Sequence, residues 1–215
     1  MGWAEKSPLK ASKVIIAIDG PSASGKGTLA RALASKLNYH FLDTGALYRM
    51  VGLTVANKAI DPNDEEACAA IAASLDPSAF ADADLRGELI GGYASKVAVL
   101  PKVRAALLKL QRDFAAKPPG AVLDGRDIGT VICPQADFKF YITASVAARA
   151  ERRHLETPGS DLLAIKADIL ARDERDANRM VAPLKPAVDA IVIDTSHLAP
   201  ADALQMVLTH MRQNG

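Results

Sequence analysis

The stretch Asp19–Thr28, DGPSASGKGT, decides the fold, because it follows the apolar run Val14–Ile18 (VIIAI) and leads into the helix-like sequence LARALASKL. This order predicts a strand, a glycine-rich turn and the start of a helix. Gly20, Gly25 and Lys26 match the phosphate-loop pattern, in which backbone N–H groups wrap a phosphate and the lysine reaches its outer oxygens. A plain glycine-rich turn with a surface lysine is the alternative, and the flanking strand and helix disfavour it.

The hydroxyl that usually follows the lysine of such a loop is displaced by one position, since Gly27 follows Lys26 and Thr28 comes next. We therefore do not expect the loop alone to coordinate Mg²⁺. The ion should be held mainly by the phosphates of its ligand and by water, because Mg²⁺ readily keeps several waters. Thr28 and Asp124 are the candidates to orient it from the protein side.

The composition indicates one globular domain with a local anion site. Hydrophobic residues make up 49% of the 215 residues and charged residues 24%, which is close to the globular average. Lys+Arg number 26 and Asp+Glu 25, so there is no net field to attract nucleic acid or an anionic membrane. An anion site must then be a local cluster of arginines. Cys68 and Cys133 are far apart and predict neither a metal site nor a disulfide scaffold.

The N-terminal segment 1–13 is polar with scattered lysines and lacks the apolar region of a secretory signal. We expect it to be a disordered tail, followed by a single domain over residues 14–215. No run of about 18 apolar residues is present, which predicts no membrane span. We accordingly expect a cytoplasmic, monomeric protein whose partners are small molecules.

Short apolar runs alternate with longer helical patterns along the chain, which is typical of a doubly wound α/β fold with a five-stranded parallel sheet. The strands are predicted at Val14–Ile18, Tyr39–Leu42, Ala121–Leu123, Phe138–Ile142 and Ala190–Ile193. The helices are predicted at Thr28–Leu37, Ala46–Asn57, Glu65–Leu75, about Leu85–Leu100, Val103–Ala116, Ser145–Glu156, Leu162–Arg179 and Pro200–Met211.

Two polar segments directly follow predicted strands, where parallel sheets bind their ligands. In Asp43–Arg49 (DTGALYR), Asp43 or Thr44 can cap the next helix and Arg49 can point at the crevice. A capped helix with a solvated arginine explains this segment equally well. In Leu123–Thr130 (LDGRDIGT), Asp124 is placed to orient Mg²⁺ through water, and Arg126 and Asp127 project into the same crevice. A plain turn would not need Arg126 and Asp127 after its Asp-Gly, so we favour a functional role for this segment.

The segment Ile169–Met180 (ILARDERDANRM) places arginines on one helix face. Arg172, Arg175, Asp176 and Arg179 fall at positions i, i+3, i+4 and i+7. A solvated helix with ion pairs is the ordinary explanation. Three arginines with a single acid nevertheless leave positive charge unpaired, which suits a phosphate bound by guanidinium groups. Further arginines, Arg149, Arg152 and Arg153, lie on the preceding helix.

Taken together, GPSASGKGT, DTGALYR, DGRDIGT and RDERDANR resemble the bacterial cytidylate kinases, a family of nucleoside monophosphate kinases. The similarity runs from about Val14 to the C-terminus, and the four motifs in this order are highly specific. The segments Ser95–Phe114 and Val181–Ser196 are also similar to the family. The resemblance implies a phosphate-loop kinase fold with an acceptor-binding flap at about residues 45–100 and a short lid at about residues 156–163.

The resemblance also implies a role for each matching residue. ATP would be held by Gly20, Pro21, Ser22, Ala23, Ser24, Gly25, Lys26, Gly27 and Thr28, with Arg149 and Arg153. Catalysis would rest on Lys26, Arg126 and Arg179. The acceptor CMP or dCMP would be held by Thr44, Arg49, Ser95, Arg104, Arg126, Asp127, Arg172, Asp176 and Arg179. Within that set Arg49, Arg126 and Arg179 would bind the phosphate, Ser95, Arg104 and Asp127 the cytosine, and Arg172 and Asp176 the ribose. The cofactor would be Mg²⁺, with ATP as co-substrate.

The chain departs from the family where many members carry an antiparallel insert, because Asp76–Gly92 is too short to build one. We expect a mainly helical flap. Kinases for UMP, AMP or shikimate are rivals of the same class. A GTPase-type switch is a rival of another class, but its DxxG match (Asp84 to Gly87) does not follow a strand. Its other motif fails too, since Asn57–Ile60 (NKAI) lacks the aspartate that reads guanine.

Overall fold

Five parallel strands form one sheet, as the alternation of apolar runs and helical patterns predicts. The strands are β1 (Val14–Asp19), β2 (His40–Asp43), β3 (Gly120–Gly125), β4 (Phe138–Thr143) and β5 (Ile191–Asp194). They lie in the order β2-β3-β1-β4-β5, and every neighbouring pair is parallel. The computed structural model describes residues 13–81, 85, 87–157 and 159–214. The predicted tail therefore lies almost wholly outside the described residues.

Eight α-helices in the described residues connect and cover the strands. They are α1 (Lys26–Leu37), α2 (Thr44–Asn57), α3 (Glu65–Ala73), α4 (Glu88–Val97), α5 (Pro101–Ala115), α6 (Val146–Glu156), α7 (Leu162–Ala177) and α8 (Pro200–Asn214). A 3₁₀ turn spans Pro77–Ala79 and a π-helical turn spans Ile128–Ile132. No described helix is both long enough and apolar enough to cross a membrane.

The core explains why the strands read as short apolar runs. Strand β3 is buried along its whole length, and Ile16–Ile18 of β1 are fully buried. Helices α1 and α8 cover one face of the sheet, while α5 and the π-helical turn cover the other. Burial on both faces removes the need for polar alternation in these two central strands, whereas the edge strands β2 and β5 are more exposed.

Helices α2, α3, α4 and α5 have a hydrophobic cluster of their own, which includes Val51, Val97 and Leu107. Between β2 and β3 the described residues contain helices and turns but no strand, as expected for a flap without the antiparallel insert. Helices α6 and α7 share a smaller cluster around Ala150, Ile165 and Ile169. Each of these two groups of helices therefore carries apolar packing separate from the sheet.

All eight predicted helices differ from the observed ones by one to three residues at one or both ends, and two of these differences bear on the site. Helix α4 begins at Glu88 rather than at about Leu85. Helix α7 ends at Ala177, so Arg179 lies beyond its last turn. The amide of Asn178 still bonds to the carbonyl of Glu174, but asparagine is a poor helix former and the chain leaves the helix there. Arg179 therefore does not continue a helical stripe.

Candidate active site

One cleft of about 570 Å³ lies at the carboxyl edge of the sheet. The parallel register places Asp19 of β1 beside Gly125 of β3, and Asp124 beside Asp43 of β2, at this edge. The predicted site residues that line it are Ala23, Ser24, Gly25, Lys26, Gly27, Thr28, Thr44, Arg49, Ser95, Arg104, Asp124, Arg126, Asp127, Arg172, Asp176 and Arg179. The predicted residues that do not line it are Gly20, Pro21, Ser22, Arg149 and Arg153.

The phosphate loop lies between β1 and α1 and needs its first glycine. A Cβ on Gly20 would stand 2.0 Å from the carbonyl oxygen of Ile142, so only glycine lets the loop pass this close to β4. Gly25 has φ +84° and is the N-cap of α1, and no side chain caps the helix. The first amides of α1 are therefore open to an anion, which the helix N-terminus also attracts.

Lys26 is buried at the mouth of this loop. Its Nζ donates to the carbonyl oxygen of Pro21 at 3.3 Å and lies 3.8 Å from Oδ1 of Asp124. Burial, together with the charge of Arg126, lowers the pKa of Lys26 to about 8. A bound phosphate would place further negative charge beside this buried ammonium and would favour its protonated form.

Asp124 is the carboxylate that faces the loop. Its Oδ1 is buried without a hydrogen-bond partner, and its Oδ2 lies next to Gly27, 3.0 Å from where a Cβ would stand. Burial raises the pKa of Asp124 despite the nearby Lys26. An open carboxylate oxygen here fits a hydrated Mg²⁺ ion. In the described residues no three His, Cys, Asp or Glu side chains group around a point where a metal could sit, so such an ion would depend on its ligand's phosphates.

Two arginines of the cleft converge on one buried acid. The carboxylate of Asp176 on α7 accepts from Nε of Arg126 at 2.9 Å and also pairs with Arg179. Both guanidinium groups are thereby held at the centre of the cleft. On the α2 side, Nη2 of Arg49 donates to Oδ2 of Asp43 at 2.6 Å, which orients it towards the same region.

Arg172 differs from these arginines. In the described part of the chain it forms no ion pair with a carboxylate, whereas Arg49, Arg126 and Arg179 each form one. Its Nε, like that of Arg179, is buried without a hydrogen-bond partner. Burial and the neighbouring Arg126 lower the pKa of Arg172 to about 10. The cleft therefore contains positive charge that no described side chain neutralises, and an anion would relieve it.

The far end of the cleft is suited to a flat polar ring. Asp127 and Arg104 form a buried ion pair, and Nη1 of Arg104 donates to the carbonyl of Ala98 at 3.2 Å. Arg104 also lies over the ring of Tyr48, 5.8 Å from its centroid. The hydroxyl of Ser95 is buried close by without a partner. Both hydrogen-bond donors and hydrogen-bond acceptors therefore line this part of the cleft.

Arg149 and Arg153 lie next to the phosphate loop but do not line the main cleft. Arg149 is buried beneath the loop, where it donates to Asp173 at 2.6 Å and to the carbonyl of Ser22 at 3.3 Å. It supports the loop backbone and does not face the cleft. Arg153 lines a second, smaller hollow together with Ser22 and Ala23 of the phosphate loop and with Arg172 and Arg175. The expected one-face stripe holds for Arg172 and Arg175, which line this hollow together, but Arg179 lies beyond the end of α7. Asp176 pairs with Arg126 and Arg179 and neutralises much of the positive charge.

Sequence reasoning named Arg152 among the arginines of this helix but gave it no role in the site, and it missed Thr195. Arg152 on α6 donates to the hydroxyl of Thr195 at 3.2 Å and to its carbonyl, and it lies 3.7 Å from a Cβ built on Gly25. Thr195 in turn donates to the carbonyl of Ser24 at 2.8 Å. Leu198, Pro200 and Ala203 complete this wall of the cleft. The only sequence signal was a Thr-Ser pair directly after the last strand.

A family model described as cytidylate kinase matches residues 16–213. The chain is 55% identical over 189 residues to a cytidylate kinase of Bradyrhizobium sp. (strain ORS 278), covering 86% of this chain and 89% of the relative. It is 54% identical over 201 residues to one of Paramagnetospirillum magneticum, covering 90% and 95%. A gluconokinase structure from Sinorhizobium meliloti 1021 shares the fold at a TM-score of 0.52 and 14% identity, over 93% of this chain and 92% of that one.

Proposed function

Because the chain belongs to the cytidylate kinase family, we propose that it transfers the γ-phosphoryl group of ATP to CMP, and to dCMP as a second acceptor. The products are ADP and CDP or dCDP. The observation that carries this proposal is one cleft that is lined both by the phosphate loop and by the buried Asp127–Arg104 pair. The loop suits the phosphates of ATP, and the Asp127–Arg104 pair suits the base of the acceptor nucleotide.

The phosphate loop is the proposed ATP site. The open amides at the start of α1 and the ammonium of Lys26 converge on the loop's concave side, where they suit the β- and γ-phosphates. Arg152 and the wall formed by Leu198, Pro200 and Ala203 extend the same side of the cleft, and we place the rest of ATP there. Arg149 serves this site from below by supporting the loop backbone.

The arginines at the centre are the proposed acceptor-phosphate site. Arg49, Arg126 and Arg179 each carry a guanidinium that is already oriented by a carboxylate. A bound phosphate would compete with Asp176 for Arg126 and Arg179, because guanidinium groups bind phosphate bidentately. The oxygens of Asp176 that are released in this way can then accept hydrogen bonds from the ribose hydroxyls, and Arg172 can donate to them.

Base recognition is assigned to Asp127, Arg104 and Ser95. Cytosine has an exocyclic amine that donates, and ring N3 and O2 that accept. A buried carboxylate suits the amine, and the guanidinium and hydroxyl suit N3 and O2. Uracil presents a carbonyl oxygen where cytosine has its amine, so the carboxylate would face an acceptor and lose affinity.

Catalysis in this site consists of positioning and charge neutralisation, with little need for a strong base. Lys26 and the central arginines hold the transferring group between donor and acceptor. Mg²⁺, when bound with ATP, would neutralise charge on its phosphates. Asp124 would orient the ion's water shell with its open oxygen, and Thr28 is the second candidate for this role.

Lid and flap assignments complete the proposal. The segment at about residues 156–163 joins α6 to α7, which pack on each other through an apolar cluster of their own, and we assign this segment as the lid. Residues 45–100 form the flap around α2, α3 and α4. Closure of both would exclude water that otherwise hydrolyses ATP. Monomeric state and cytoplasmic location remain predictions from the sequence.

A coupled ADP-release assay with Mg-ATP and each acceptor in turn tests this function. CMP, dCMP, UMP, AMP and shikimate are compared, and a reaction without acceptor measures hydrolysis of ATP alone. We expect kcat/KM to be highest with CMP, followed by dCMP. Turnover of AMP or UMP at the rate of CMP would contradict the assigned base recognition, while the phosphate loop would remain supported.

A further inference from the structure

Asp19, the last residue of β1, makes contacts that the proposed reaction leaves unexplained. Its carboxylate is only 4% exposed. Oδ1 accepts from the amide of Ile128 and Oδ2 from the amide of Gly129, each at 2.8 Å. Burial raises the pKa of Asp19 to about 7 against the lowering effect of these two bonds. Burial of a carboxyl is costly unless hydrogen bonds compensate for it, and here the two backbone amides do so.

The two amides belong to the first residues of the π-helical turn Ile128–Ile132, which follows directly on Arg126 and Asp127. Asp127 occupies the position from which a side chain ordinarily caps such a turn. It makes no capping bond, because its carboxylate pairs with Arg104 instead. Asp19 therefore caps the turn from a neighbouring strand and leaves Asp127 free to face the cleft.

The far end of the same turn is held by a second side chain from elsewhere. Arg112 on α5 donates from Nε to the carbonyl of Ile132 at 2.9 Å and from Nη2 to that of Val131 at 3.1 Å. Both ends of the turn are thus fixed by tertiary contacts. Only the end held by Asp19 adjoins the residues assigned to the acceptor.

We propose that Asp19 is a positioning residue that fixes the acceptor-reading segment, Arg126 and Asp127, relative to the phosphate loop. Gly20, the first residue of that loop, follows Asp19 directly, so one residue connects the donor and acceptor halves of the site. This inference rests on the proposed function. It predicts that Asp19 affects the acceptor through the backbone of the turn, without touching either nucleotide.

The test is Asp19→Asn, which keeps the size of the side chain. Its amide group would face one of the two N–H donors, so one of them loses its acceptor. We expect KM for CMP to rise roughly tenfold, and the CMP/UMP ratio of kcat/KM to fall by about threefold or more, as for one buried donor left unsatisfied. KM for ATP should stay within about twofold, because the loop's own contacts are kept.

Asp137→Asn is the matched control. Oδ2 of Asp137 accepts from the amide of Ile15 at 2.8 Å, at the opposite end of β1. The same change of carboxylate to amide there should leave both KM values and the base preference as in the wild type. Circular dichroism and thermal denaturation of all variants show whether they fold.

Equal rises in KM for ATP and CMP, or no change in either, would overturn the proposal. Asp19→Ser retains one acceptor and serves as the second variant with the same expected split. Failure of both variants to fold would also overturn it, since Asp19 would then hold the core rather than the turn. A wild-type protein inactive towards CMP would overturn the proposed function and this inference together, whereas an active wild type with unaltered variants overturns only the inference.

Discussion

Replacing Arg172 by methionine is expected to stabilise the ligand-free protein and to weaken acceptor binding. Arg172 is a half-buried cation whose Nε has no partner in the described residues, and it lies near the charge of Arg126. Methionine is unbranched and adaptable, so it can occupy much of the same space without the charge. The expected gain in the free energy of unfolding equals the destabilisation that this unpaired charge causes in the ligand-free wild-type protein.

The structure bounds the size of the gain. Burial beside Arg126 lowers the pKa of Arg172 to about 10. A guanidinium ordinarily titrates above about 12, so the fall corresponds to at most roughly 3 kcal/mol. Because the folded pKa is lower than the unfolded one, the whole cost is present at neutral pH and is relieved only as pH rises past about 10. Solvent screening of a half-buried group reduces it to about 1–2 kcal/mol, or about 2–8 °C in Tm for a domain of this size.

Thermal and urea denaturation of the wild type and the variant, with and without CMP, measure both effects. We expect a higher Tm without ligand and a smaller increase on adding CMP. Arg179→Met is the comparison variant, because burial also lowers the pKa of Arg179 and its Nε also lacks a partner. Arg179 differs in being paired with the buried Asp176, so its loss leaves that carboxylate with one partner fewer and should destabilise the protein by about 1–3 kcal/mol. If Arg172→Met destabilised the ligand-free protein as much as Arg179→Met does, the reasoning from unpaired charge would be refuted.

Other substitutions test the remaining assignments. Lys26→Ala should lower kcat by about 10²-fold or more with every acceptor, as for the loss of a preorganised donor, and a folded variant with near-normal turnover would remove the phosphate-loop argument. Because the pKa of Lys26 falls to about 8, kcat/KM for ATP should decline above that pH as the ammonium loses its proton, and Lys26→Arg should lack the decline. Asp127→Asn should reduce the CMP/UMP ratio of kcat/KM by roughly ten- to a hundredfold; an equal loss for both bases would assign Asp127 to the phosphate or the metal. Arg152→Ala should raise KM for ATP several-fold and leave KM for CMP unchanged, as measured by steady-state kinetics with each substrate varied in turn. If Arg152 served only the fold, KM would rise for both substrates.

The sheet and the phosphate loop were predictable because their signals are local. Short apolar runs mark strands buried on both faces, and the glycines and lysine of Asp19–Thr28 stand between a strand and a helix. The segments after β2 and β3 could be assigned to the cleft because the carboxyl ends of parallel strands meet at one edge. Each of these inferences needs only a few neighbouring residues and a general rule of topology.

The choice among chemically equivalent side chains was decided by the tertiary structure. Arg149 and Arg152 lie three positions apart on α6, yet the first supports the loop from below and the second faces the cleft. Asp176 is neutralised in part by Arg126, which lies 50 positions earlier in the chain. In the sequence Asp19 is only the first residue after the predicted strand, and the packing of β1 against the turn after β3 shows which amides its carboxylate binds. Ion pairs and capping hydrogen bonds between residues far apart in the sequence form only where the folded backbone brings those residues together. Helical or strand periodicity carries no information about such long-range contacts.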